Sequence, residues 1–181
     1  MGEVATLFAP EVRKGTFISE CGAYRYWLDR RWADDERGLL AFVMLNPSTA
    51  DAEVDDPTIR RCVGFAKREN RMGIVVVNLF AGRATQPDDL FKMTDPEGPD
   101  NFNQWMSWLR RERTKVVCAW GADSRARLQA SKFRRFANEH GVELWCLGLS
   151  KDGSPRHPLY LKNDAPLVNY AQPHSYRRVT A

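Results

Sequence analysis

The sequence predicts an α/β fold: a three-layer sandwich whose central sheet is mainly four parallel strands. Three observations carry this expectation. Continuous apolar runs of strand length recur at LLAFVML (39–45), GIVVVNL (73–79), KVVCAW (115–120) and VELWCLGL (142–149). Segments with helical spacing separate them. Such alternation makes βαβ units, and strands apolar throughout suit a sheet covered on both faces.

Each element follows from local chemistry. Residues 1–20 carry weak patterning. AYRYWLDRRW alternates aromatic and charged residues, as expected of a strand with one solvated face. After LLAFVML, Asp56 and Pro57 are placed as N-cap and first helical residue, and Ile59, Cys62, Val63, Phe65 and Ala66 repeat at helical spacing. GIVVVNL leads into a polar loop from Arg83 to Pro99, then a helix through NFNQWMSWLRRER. Beyond KVVCAW, Ser124 is placed to cap a helix that runs to about His140 and is ended by Gly141. After VELWCLGL the GSPRHPLYL loop leads to a short tail. A length of 181 residues suits one domain, 1–181, with its core over about 24–162.

An apolar fraction of 43% with 11% aromatic residues excludes a disordered chain. No run approaches the length of a membrane span, and no secretory signal opens the chain, so a cytoplasmic protein with no membrane partner is expected. Cys21, Cys62, Cys118 and Cys146 are scattered without paired spacing. That speaks against a disulfide framework and against a zinc site, and no metal or other cofactor is expected. Net charge is +4, which permits nucleic-acid binding without requiring it.

Polar groups stand at the ends of the apolar runs: Asn46 in MLNPSTAD, Asn78 in VVVNLF, and His157 beyond the last run in SPRHPLYL. Ligands of parallel sheets bind beyond the carboxyl ends of the strands, where strand order switches. Pro47 ends its ladder and fixes φ, directing Asn46 into that crevice. Asn78 carries donor and acceptor together and can pair with a pyrimidine edge. Phe80 and Tyr160 can stack on a base or simply pack. Ser48 can bind a phosphate or cap a turn. Arg156 can serve a base or a phosphate, and Pro155 and Pro158 hold the His157 loop.

These blocks, in this order over roughly residues 39–162, resemble the uracil-DNA glycosylase superfamily. The resemblance implies that Asn46 handles the attacking water, Asn78 reads the base, VVCAWGADSRA supplies the strand ending in Trp-Gly, and His157 stabilises the leaving base. Trp120 is then expected under the site. Asn46 stands where the most active branch has aspartate, and an amide positions water without taking its proton. Asp51, Asp55 or Asp56 can supply the carboxylate, Asp51 being the catalytic candidate, although helix capping equally explains Asp55 and Asp56. The NPSTAD…DDPT, VVNLFA-RAT, AWG and PRHPLYL blocks also resemble a bacterial and phage domain of unknown function, which implies kinship and no reaction.

The expectation is a hydrolase that removes a uracil-like or modified pyrimidine from DNA. Its alternatives are an enzyme acting on a free nucleotide, nucleoside or related small molecule, and a non-catalytic nucleic-acid-binding base sensor.

Overall fold

The computed structural model describes residues 12–48 and 54–170. Seven strands form one mixed sheet: β1 (Arg13–Ile18), β2 (Arg25–Arg31), β3 (Leu39–Met44), β4 (Gly73–Asn78), β5 (Lys115–Cys118), β6 (Leu144–Cys146) and β7 (Val168–Asn169). Their order is β1-β2-β4-β3-β5-β6-β7. β4 pairs with β3, β3 with β5, and β5 with β6, all in parallel, whereas β1, β2 and β7 add to the two edges antiparallel. The helices among the described residues are α1 (Pro57–Arg68), α2 (Pro87–Leu90), α3 (Asn101–Leu109) and α4 (Arg127–Glu139).

Side chains of β3 alternate between two apolar cores. Leu39, Ala41 and Val43 share a core with Trp105, Trp108, Phe133 and Phe136 of α3 and α4. Leu40, Phe42 and Met44 share the other with Ile59, Cys62 and Phe65 of α1. Val75 and Val77 of β4 join the first core, and Ile74 and Val76 the second. The period-two geometry of a strand is thus used on both sides, and helices cover both faces. At about 25 cal/mol per Å² of apolar area removed from water, these two clusters are the main stabilising contribution.

The sheet is wider than the four strands expected. β1 lies in a segment of weak patterning, and β7 has only two residues. β2 does not have a solvated face: Arg25, Asp29 and Arg30 are all buried between β1 and β4. Arg30 is held there by Asp55, 2.7 Å from its Nε, and by its Nη1 donating to the Asp29 carbonyl at 2.8 Å.

Helix ends follow capping chemistry. Asp56 accepts from the Ile59 N–H at 2.8 Å, and Pro57 opens α1. Asp123, rather than Ser124, caps the next helical segment: it accepts from the Arg125 N–H at 2.9 Å and starts a 3-10 turn over Ser124–Ala126 that runs into α4. Gly141 follows α4 with φ of 65°, the left-handed geometry glycine takes most easily. α3 stops at Leu109, before the Arg110–Arg113 run expected to be helical, and the polar loop contains the single turn of α2. Among the described residues, no helix is long and apolar enough to cross a membrane.

Candidate functional site

Met44 and Asn78 are partners in the parallel register, so β3 and β4 end side by side. A cavity of about 150 Å³ opens just beyond them on the α1 face. Its walls include Arg25, Asn46, Ser48, Asp56, Asn78 and His157.

Asn46 is oriented by two carbonyls. Its Nδ2 donates to Pro47 O at 3.0 Å and to Ala84 O at 2.9 Å. Because both neighbours are acceptors, the carboxamide nitrogen is assigned unambiguously, and Oδ1 is the atom left to accept from a ligand or water.

Asn78 is 2% exposed and lines the cavity. Its backbone is immobilised: the carbonyl accepts from Asn101 Nδ2 at 3.1 Å and from Trp105 Nε1 at 2.9 Å. A carboxamide carries donor and acceptor together, so a group entering the cavity can pair with it on both.

His157 arrives from the other end of the chain. Arg156 N–H donates to Gly148 O at 2.9 Å, and Gly121 N–H to Pro155 O at 3.0 Å, tying the loop to the ends of β5 and β6. Pro158 opens a 3-10 turn (Pro158–Tyr160), and its carbonyl accepts from Arg61 Nε of α1 at 3.5 Å. Inside that turn His157 Nδ1 accepts the Leu159 N–H at 3.3 Å. A ring whose Nδ1 accepts carries its proton on Nε2, so the neutral imidazole presents a donor. Burial lowers the His157 pKa, with Asp56 opposing that shift, so the neutral form prevails at neutral pH.

Arg25 is the residue that sequence reasoning missed. It is 6% exposed, lines the cavity, and makes no side-chain hydrogen bond or ion pair among the described residues, its Nε being sealed from solvent. Burial pulls its pKa down to about 10, with Asp56 raising it and the Arg83 and Arg30 charges lowering it, which still leaves it cationic at pH 7. The available signal was that AYRYWLDRRW lies beside GIVVVNL only if it pairs with that strand, which buries its charges.

Among the expected residues, the cavity collects Asn46, Ser48, Asn78 and His157. Ser48 Oγ is buried there without a partner among the described residues. Five others do not line it. Pro47 is buried behind Asn46, its carbonyl accepting from Ala84 N–H at 3.2 Å. Phe80 turns into the α3/α4 core and meets Phe91 edge-on at 5.4 Å, so it offers no stacking face. Pro158 is buried as the opening residue of its turn. Arg156 and Tyr160 line an adjacent groove with Leu161 and Lys162, and the Tyr160 ring lies 5.6 Å from that of His157. Trp120 packs on the far core against Phe133, not beneath the cavity. Asp51 lies outside the described residues. Of its neighbours, Asp55 is engaged by Arg30, and Asp56 is the carboxylate that reaches the cavity wall.

The arginines divide between the two ends of the sheet. Arg60, Arg61 and Arg68 line a groove on α1, the helix that begins at the cavity. Arg71, Arg110, Arg111, Arg113 and Lys115 line another at the amino ends of β4 and β5. Among the described residues, no cluster of His, Cys, Asp and Glu can hold a metal ion.

Neither the curated proteins nor the solved structures contain a match to this chain. The model of the family described as "Protein of unknown function (DUF1643)" matches residues 25–159, a span that begins at Arg25 and takes in His157. By that match over most of its length, the chain belongs to the DUF1643 family.

Proposed function

We propose that this protein hydrolyses the N-glycosidic bond of a uracil-like or modified pyrimidine in DNA. The carrying observation is the convergence of an Asn46 acceptor, the Asn78 carboxamide and an Nε2–H of His157 on one small cavity. The cavity, of about 150 Å³, is small, and in this reading it holds the heterocycle of the substrate. A base entering it from a duplex must leave the stack.

In the proposed step the bond between C1′ and the base nitrogen breaks, and its electron pair leaves with the base. Water oxygen forms the new bond to C1′. One water proton is lost, and the base ends by gaining one. His157 Nε2–H donates to the base oxygen on which negative charge builds, the logic of an oxyanion hole. Asn46 Oδ1 accepts from the attacking water and orients its lone pair. Asp56 places negative charge near the cationic sugar and can receive the water proton. Asn78 pairs with the base edge. Arg60, Arg61 and Arg68 of α1, with Arg156 in the adjacent groove, supply phosphate contacts.

A second reading, an enzyme acting on a free nucleoside or related small molecule, draws on the buried, unpartnered Arg25, because a cation inside the pocket suits a discrete anionic ligand. Incubation with oligonucleotides carrying a panel of modified pyrimidines, with the same nucleosides free in a parallel series, separates the two. Abasic sites detected by alkali cleavage support the DNA reading. Base release from free nucleosides alone supports the second, and release from neither overturns both.

A further inference from the structure

We propose that the cavity takes a pyrimidine bearing an oxyanion, a ring carboxylate, and that Arg25 is the specificity residue that reads it. The inference rests on the reading of this cavity as the substrate pocket and narrows its substrate class.

The charge balance of the pocket points this way. Arg25 enters from β2, whose residues lie antiparallel to β4, and its N–H donates to Ala81 O at 2.9 Å just beyond Asn78. The charges of Arg83 and Arg30 both act to lower the pKa of Arg25. Among the described residues, the carboxylates nearby have other contacts. Asp55 is 2.7 Å from Arg30 Nε, and Asp56 accepts from the Ile59 N–H at the start of α1. Asp56 therefore attenuates the Arg25 charge without forming an ion pair with it. A guanidinium whose Nε is sealed from solvent without a hydrogen-bond partner among the described residues is costly to keep in the folded state. Nothing in the two apolar cores requires a cation at this position, since Tyr26 and Leu28 supply the packing of the strand.

The geometry also selects the kind of anion. A guanidinium is a planar fork that matches a carboxylate with two parallel hydrogen bonds. In the proposed reading the ring is what enters this cavity of about 150 Å³, so the charge is assigned to the heterocycle itself. Asn78 then reads the remaining donor and acceptor edge of the ring, and Ser48 Oγ, also buried and unpartnered, lies on the same wall.

The test is calorimetric binding of four probes, 5-carboxyuracil, uracil, uridine 5′-phosphate and inorganic phosphate, to the wild-type protein and to Arg25→Gln and Arg25→Lys. The expected result is at least tenfold preference of the wild type for 5-carboxyuracil over uracil. Arg25→Gln should abolish the preference, bringing the affinity for 5-carboxyuracil down to that for uracil. Arg25→Lys should retain only part of it, because a point charge cannot form the paired contact. Tight binding of uridine 5′-phosphate and phosphate, without preference for the carboxylate, would overturn the assignment of the anion to the ring. Equal affinity of the wild type for the charged and neutral rings would overturn the proposal without reference to any variant. Because binding is read and no bond is cleaved, failure of the glycosylase reading would appear separately, as absence of abasic sites despite the carboxylate preference.

Discussion

The Asn46 carboxamide donates to the Ala84 carbonyl at 2.9 Å, joining the turn after β3 to the chain that follows β4. Its nitrogen is spent on two backbone carbonyls, and its oxygen is left to accept from a ligand. An aspartate here would set a carboxylate against the Pro47 and Ala84 carbonyls with no proton to share. Asn46→Asp is therefore expected to destabilise the fold by about 1–3 kcal/mol and not to raise activity. Denaturant unfolding and single-turnover cleavage check this, and a faster, equally stable variant would refute the assigned orientation.

His157→Ala should lower the single-turnover rate by roughly 100- to 1000-fold, the usual cost of removing one oxyanion donor. Affinity for an uncleavable analogue should change far less, because the charge it meets develops only in the transition state. Equal losses in rate and affinity would make His157 a binding residue.

The pH profile follows from the same ring. Burial lowers the His157 pKa below its ordinary 6.5, so the folded protein resists protonation to lower pH than the unfolded chain does. Below that ordinary value the unfolded state binds the extra proton, and this group's contribution to stability declines as pH falls. Because the working form is neutral, the rate limb assigned to His157 should remain flat down through pH 6.5 and fall only in more acid solution. A rate that rises as pH drops through 6.5 would show that the imidazolium is the active form.

Asp56 has two roles that substitution can separate. Asp56→Ala removes the cap of α1 and should cost about 1 kcal/mol, whereas Asp56→Ser restores a capping oxygen and most of that stability. Both should lose turnover if the carboxylate serves the reaction. Thermal unfolding beside single-turnover kinetics distinguishes the outcomes, and full activity in the serine variant would confine Asp56 to the cap.

Asp55→Ala leaves Arg30 buried without the carboxylate 2.7 Å from its Nε. The expected loss is about 3 kcal/mol, toward the low end for a broken buried pair because Asp55 is partly exposed. Denaturant titration measures it, and a loss below 1 kcal/mol would mean that the remaining contacts of Arg30 suffice.

The parts of the fold legible in the sequence were those with an unbroken apolar signal. LLAFVM, GIVVVN, KVVC and LWC are strands because residues covered on both faces cannot be polar. β2 was recognisable as a strand but not as a buried one. Its arginines look solvated in sequence, and only pairing with both β1 and β4, together with Asp55 from before α1, encloses them. For the same reason Arg25 was missed. Phe80 was misplaced because β4 ends at Asn78: past that point the chain turns, and the alternation that would have kept the ring beside Asn78 no longer operates.

The division of β3 between two cores also bears on what sequence change the family can tolerate. Inserting or deleting one residue within Leu39–Met44 would exchange the set facing α1 with the set facing α3 and α4 for every residue beyond the change. The same change would move Met44, whose register partner is Asn78, to the far face of the sheet and shift the start of the Asn46 turn with it. Length variation should thus be forbidden inside this strand and permitted after Pro47, where the chain has left the ladder. Packing parity and the placing of Asn46 thus depend on one length, and lineages of this family should drift in loop length while keeping the spacing from Leu39 to Asn46 unchanged.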